Sequence, residues 1–126
     1  MPKNRMFTSH DVLASAQRAA STGYSSYINA SSEEYVFIET IVTAKSGAPT
    51  LDIILQCSPV DPAVDNTRWA TVAVEPTITD AAIGSTFPKI FRSVAHPDFV
   101  GYVRILYTVG GASTPKLTFS LKLQTK

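Results

Sequence analysis

The residue types that could do chemistry crowd into one stretch of the chain, TLDIILQCSPVDPAVDNTRW at residues 50–69, which holds the single cysteine and the single tryptophan. A reactive thiol needs exposure and a basic neighbour or a helix N-terminus to lower its pKa. Cys57 alternates in phase with Leu51, Ile53 and Leu55, so it is expected to be an inert, small apolar residue facing the core. Asp61 and Asp65 stand beside Asn66 with no glycine between them. A calcium loop needs several converging oxygens and usually a glycine for its sharp turn, and Pro59 and Pro62 stiffen this segment. An exposed strand connection is the expectation here, with a weak calcium site as the alternative.

The two histidines, His10 and His96, belong to no H-x-H, H-E-x-x-H or Cys/His grouping, so zinc has no motif. Ser58, His96 and Asp98 are the residue types of a hydrolytic triad. No G-x-S-x-G elbow surrounds Ser58, however, and His96-Pro97-Asp98 reads first as a turn. Gly110-Gly111 opens onto ASTPK rather than a helix, which argues for a hairpin turn and against a phosphate loop. Trp69 and the five tyrosines could stack on sugar rings. The preferred reading instead anchors Trp69 in the core at the start of its strand, because nothing in the sequence gathers the aromatics on one exposed face. No catalytic, metal or cofactor residues are assigned, and the expectation is a protein that is not an enzyme.

The frame that must hold these residues is small. At 126 residues and 44% apolar composition, one domain with a real core is expected. Eleven Lys and Arg against ten Asp and Glu leave a net charge of +1, which gives no reason to expect direct nucleic-acid binding. No apolar run is long enough for a membrane-spanning helix, and the N-terminal MPKNRMFTSHD lacks the apolar stretch of a secretory signal. One cysteine cannot form an internal disulfide, so packing must hold the fold and synthesis in a reducing compartment is expected.

From Tyr35 onward the pattern has period two. Leu51, Ile53, Leu55 and Cys57 share one face of a strand, and Leu117, Phe119, Leu121 and Leu123 share one face of another. Val103, Ile105, Tyr107 and Val109 alternate against Tyr102, Arg104 and Thr108. YVFIETIVTA is apolar on both faces, as a central covered strand would be. Two less regular strands are expected in WATVAVEPTIT and STFPKIFRSVA, where Pro76 and Pro88 point to edges or bulges. Breaks are expected at 46–49, 59–66, Gly84, 96–98 and 110–111. This spacing predicts an all-β antiparallel sandwich of about seven or eight strands, jelly-roll or immunoglobulin-like, over residues 12–126.

The region before Tyr35 allows two readings. SHDVLASAQRAAST suits either a short helix capped by Ser9 or an extended arm that adds a strand. Residues 1–11 have no periodic apolar face and are expected as a flexible N-terminal arm. Lys3, Arg5 and Arg18 make the region locally basic, and with Phe7 as anchor they are the candidate partner-binding residues.

The order of motifs resembles a group of small structural proteins encoded by tailed bacteriophages. That group shows T-A-x-S-G-x-x-P-T-L-D-V, then Q-x-S-P, a tryptophan opening the next strand, Y-V-R-V-x-Y-T-V-G-G and a closing F-S-V-x-L. Here Thr43, Ala44, Ser46, Gly47, Pro49, Thr50, Leu51 and Asp52 match the first motif, and Gln56, Ser58 and Pro59 the second. Tyr102, Val103, Arg104, Tyr107, Thr108, Val109, Gly110 and Gly111 match the long one. VLASAQRAAST is similar to the group's opening strand, which favours the extended reading of residues 12–20. The chain departs from the group where S-P-D-G is common, having VDPAVDN after Pro59. The resemblance covers roughly residues 12–125 and implies a virion component: a capsid decoration or auxiliary protein that binds the major capsid protein and forms a homo-oligomer. The alternative is a carbohydrate- or receptor-binding sandwich of a phage tail.

Overall fold

The computed structural model describes residues 6–126. The elements are β1 (Thr8–Ala19), β2 (Ser21–Tyr24), β3 (Ile28–Asn29), β4 (Val36–Ser58), β5 (Ala70–Val74), α1 (Asp80–Ile83), β6 (Lys89–Arg92) and β7 (Tyr102–Thr125). All pairings between these strands are antiparallel, in one seven-stranded sheet. No helix among the described residues is long and apolar enough to cross a membrane.

Two strands carry the architecture. β4 is 23 residues long and β7 is 24, and they pair along nearly their whole length, from Val36↔Thr125 to Ser58↔Tyr102. Each long strand bends in the middle, so the single sheet folds over on itself. The first half-sheet runs β1, residues 116–125 of β7, residues 36–46 of β4, then β6. The second runs β2 and β3, residues 102–112 of β7, residues 48–58 of β4, then β5. On either side of the bend, alternate residues of β4 and β7 face inward, and the apolar ones join one core cluster. Tyr107 of the second half meets Phe119 of the first edge-to-face at 5.5 Å, so the halves pack face to face as the layers of a sandwich.

The expected breaks at 46–49 and 110–111 are therefore not turns. Both lie within continuous strands, and the hairpin expected at Gly110-Gly111 does not form. What the glycines supply is the bend. Gly111 has φ +112°, and a Cβ there would lie 2.1 Å from the Ala48 carbonyl oxygen; Gly47 has φ +69°, and its Cβ would lie 2.4 Å from the Ser113 oxygen. At these two positions the backbones of β4 and β7 approach too closely for a side chain, and glycine takes the positive φ without strain; Ser113 and Thr114 continue the bend at φ 62° and 51°.

The N-terminal region bears out the extended reading and corrects the arm. Residues 12–19 are strand, and the strand begins before the expected arm ends: Thr8–Asp11 pair with residues 122–125 of β7. The physical reason is the free edge of β7, whose ladder groups need partners. Phe7 packs on Phe37 at 4.7 Å, covering the outer face of β4 where the sequence is apolar on both sides. Lys3 and Arg5 lie outside the described residues.

The remaining elements close the open side of the sandwich between β5 and β6. Thr79 caps α1 by accepting from the Ala82 N–H at 3.2 Å, and Ile83 is fully buried. Among the described residues β5 and β6 each pair with β4 only, so they are edges, and Pro76 and Pro88 lie just outside their ends.

Candidate functional site

Most of the residues singled out from the sequence are absorbed by the framework. Cys57 is buried in the core. Ser58 is fully buried, and its hydroxyl donates to the Val60 carbonyl at 2.7 Å. His96 pairs through Nε2 with Glu75 at 2.7 Å, and its backbone bridges Val36. Two of the three residues drawn as a triad, Ser58 and His96, are thus engaged elsewhere. His10 Nε2 meets the Thr125 hydroxyl at 3.0 Å across the β1–β7 pair. Asp61 Oδ1 accepts from the Ala63 N–H at 2.9 Å. Asp65 Oδ1 accepts from the Thr67 hydroxyl at 2.6 Å and its N–H at 3.0 Å, and these bonds hold its carboxyl below the usual range. Both acids shape their own turns. No group of three or more His, Cys, Asp or Glu is placed to hold a metal among the described residues.

Arg18, expected to reach a neighbour, folds inward. Its guanidinium donates to the carbonyls of Phe119 at 2.9 Å, Ala14 at 2.9 Å and Ala16 at 3.1 Å, and lies over the Phe119 ring at 4.9 Å. It ties the end of β1 to the core. Phe7 likewise anchors within the chain.

Trp69 overturns the preferred expectation in the other direction. It is half-buried and outside the core cluster. Its ring faces Arg104, whose guanidinium carbon lies 4.1 Å from it and 3.9 Å from the Tyr24 ring. The guanidinium is therefore layered between two aromatic faces. Arg104 Nε donates to Gln56 Oε1 at 2.9 Å, and Trp69 Nε1 donates to Asn66 Oδ1 at 2.8 Å. Tyr27 extends the cluster, 6.3 Å from Trp69 and 6.0 Å from Tyr102. Three of the five tyrosines thus gather with the tryptophan on the outside of the second half-sheet.

Register explains the gathering. Gln56 pairs with Arg104, and both point outward because Leu55, Cys57, Val103 and Ile105 point inward. One step along, Tyr24, Leu106, Ile54 and Val74 pair in a row across β2, β7, β4 and β5. Tyr24 is 55% and Val74 69% exposed. An apolar row thus runs across the sheet directly beside the sandwiched arginine. Desolvation by burial pulls the Arg104 pKa down, with the charge of Tyr24 opposing. Desolvation, then the Asp61 carboxylate, push the Tyr102 hydroxyl up.

The outer face of the first half-sheet is different. Asp11, Lys122, Glu39 and Arg92 pair in a row across β1, β7, β4 and β6. The signs alternate, with contacts of 3.1 Å for Lys122–Asp11 and 2.8 Å for Arg92–Glu39.

A cavity of about 260 Å³ lies between β5 and β6, apart from the aromatic cluster, with Ile38, Ile53, Glu75, Ile78, Phe91 and Arg92 among its lining. No family model and no curated protein matches the chain. Among solved structures, the chain is similar to one in the structure of infectious bursal disease virus, Gx strain, at a TM-score of 0.58 and 9% identity over 94% of this chain. It spans 32% of the length of that chain. At this identity the likeness is one of fold: nearly the whole chain follows a module found in a much longer viral protein.

Proposed function

We propose that this chain is a non-enzymatic structural component of a virus particle, a decoration or auxiliary protein on the head of a tailed bacteriophage. It binds the major capsid protein and neighbouring copies of itself, needs no cofactor, and is made in the bacterial cytoplasm before joining the virion. The observation that carries the proposal is the fold likeness over 94% of the chain to a chain from a virus structure. The phage-type motifs over residues 12–125 point the same way. The polar residues support a framework role: Ser58, His96, Asp61 and Asp65 each hold a strand end or a turn. Mass spectrometry of purified particles tests the reading. Many copies per particle are expected; absence from the particle overturns it.

A second reading, a carbohydrate- or receptor-binding module of a tail, is favoured by one observation, the exposed Tyr24 and Tyr27 beside Trp69. It predicts few copies per particle and a positive glycan array.

A further inference from the structure

We infer that the outer face of the second half-sheet is a protein-docking surface, and that its partner presents an acidic side chain to Arg104. The inference deepens the proposed function, on which it rests, by naming the surface used and the chemistry of what binds there.

Three observations carry it. The first is charge. Arg104 is layered between Tyr24 and Trp69, its Nε is bound to Gln56, and no carboxylate of the described chain lies within ion-pair distance of it. Its charge is partly desolvated without a counter-ion. A planar guanidinium held by stacking has little orientational freedom left to lose, so its outward N–H edge is pre-organised for a carboxylate, which it can bind in a bidentate manner. Burying that edge without an acid would leave an uncompensated cation, and this excludes an apolar partner surface at that point.

The second is composition. Trp, Tyr and Arg are the residues most enriched where binding energy concentrates in protein interfaces, and here they are contiguous with the apolar row Tyr24, Leu106, Ile54 and Val74. The third is shape. The cluster stands on the outside of a sheet, and the cavity between β5 and β6 is lined by none of its residues. Small ligands are taken up in concave sites that enclose most of their surface. An open sheet face suits a second protein surface. The alternating charges on the other outer face show how the same sheet is finished where its charges neutralise one another.

The only tryptophan lies in the site, so its fluorescence reports occupancy of the full-length protein directly. The probes are a glutamate hexapeptide, its glutamine counterpart and polygalacturonate, titrated against wild type, Arg104→Gln, Arg104→Lys and, on the other face, Lys122→Gln. The melting temperature of each variant is measured first. The expected result is a saturable change in Trp69 emission with the glutamate peptide alone. Arg104→Gln should weaken it by about tenfold or more, Arg104→Lys by less, and Lys122→Gln by under about twofold. No change with the glutamate peptide overturns the inference. So does an equal response to the glutamine peptide, or one that survives in Arg104→Gln. A response to polygalacturonate alone overturns it in favour of an acidic glycan. Binding of the same variants to particles lacking the protein is the separate test of the function on which this rests. If wild type fails to bind particles, the proposed function falls while the peptide titration still decides the chemistry of the face. If it binds and Arg104→Gln binds equally, the inference falls and the function stands.

Discussion

On one outer face of this sheet Asp11, Lys122, Glu39 and Arg92 run across four strands as alternating charges; on the other, Tyr24, Leu106, Ile54 and Val74 run across four strands as an apolar row beside an arginine with no acid. The same two strands, β4 and β7, build both. Their inward residues do little to distinguish the halves, since both contribute fully buried Leu, Ile and Val to one core. The difference lies entirely in what each half does with its outward positions. Cross-strand opposite charges are individually weak, and a row of them makes a face compatible with water. An apolar row beside a stacked, desolvated cation is a poor solvent face and a good contact face. Core positions therefore speak to the fold, and outward positions, read in register, speak to function.

The largest effect is expected where the two faces are created. Gly111→Ala places a methyl 2.1 Å from the Ala48 carbonyl at φ +112°. Backbone strain of about 1–3 kcal/mol and the collision act together, so the variant should lose about 4 kcal/mol or more. Denaturant unfolding measures this; a loss under about 1 kcal/mol would mean that the bend relaxes and that the halves are not tightly registered.

Next in size are truncations that probe whether the halves share one core. Leu121 belongs to the first half and Ile105 to the second, and both are fully buried. Leu121→Ala and Ile105→Ala should each cost about 2–5 kcal/mol. Trp69 reports the second half, whereas far-ultraviolet circular dichroism reports the whole sheet. Coincident transitions from the two probes are expected for a single cooperative unit. Separation of the transitions in Leu121→Ala would divide the molecule into two.

How much of this was legible from the sequence follows from what alternation can tell. Period two placed Leu51, Ile53, Leu55, Cys57, Phe119 and Leu121 in the core, and all of them are buried. It could not distinguish a bend from a turn, because Gly110-Gly111 and Ser46-Gly47 break the pattern in the same way whether the chain reverses or continues. Thr8–Asp11 lacked a signal because an edge strand needs only a partner edge, here residues 122–125 of β7. Trp69 was misplaced for a related reason. Its neighbours Tyr24 and Arg104 come from β2 and β7, and only the registers Tyr24↔Leu106 and Gln56↔Arg104 bring them together. Alternation does place Arg104 and Gln56 on outward faces, but which outward residues become neighbours is a property of pairing.

Smaller effects sharpen the contrast between the faces. Glu39 is mostly covered and Arg92 mostly exposed, at 14% and 60% of side-chain area. Glu39→Gln should therefore cost about 0.2–1 kcal/mol, and the loss should shrink in high salt. Arg104→Gln removes a cation held by rings rather than by an acid, worth about 1 kcal/mol. Its cost should change little with salt. Equal salt dependence for the two variants would erase the distinction drawn between the faces.

The smallest effect is one of pH, and it belongs to the aromatic face. The folded pKa of Tyr102 lies above its ordinary value, first because the hydroxyl is desolvated and then because Asp61 places a negative charge and a hydrogen-bond acceptor beside it. Each cause disfavours tyrosinate in the folded state. The unfolded chain titrates this group near pH ~10. Its contribution to stability is therefore fully present below that value and is lost as pH rises through the folded pKa, because the unfolded state gives up the proton first. Ultraviolet titration should show a late-ionising tyrosine that disappears in Tyr102→Phe. In Asp61→Asn the same group should ionise earlier, yet still above an exposed tyrosine, because desolvation, the larger cause, remains. A full return to the ordinary value in Asp61→Asn would mean that the carboxylate alone sets the shift and that the Tyr27–Tyr102 end of the aromatic face is open to water.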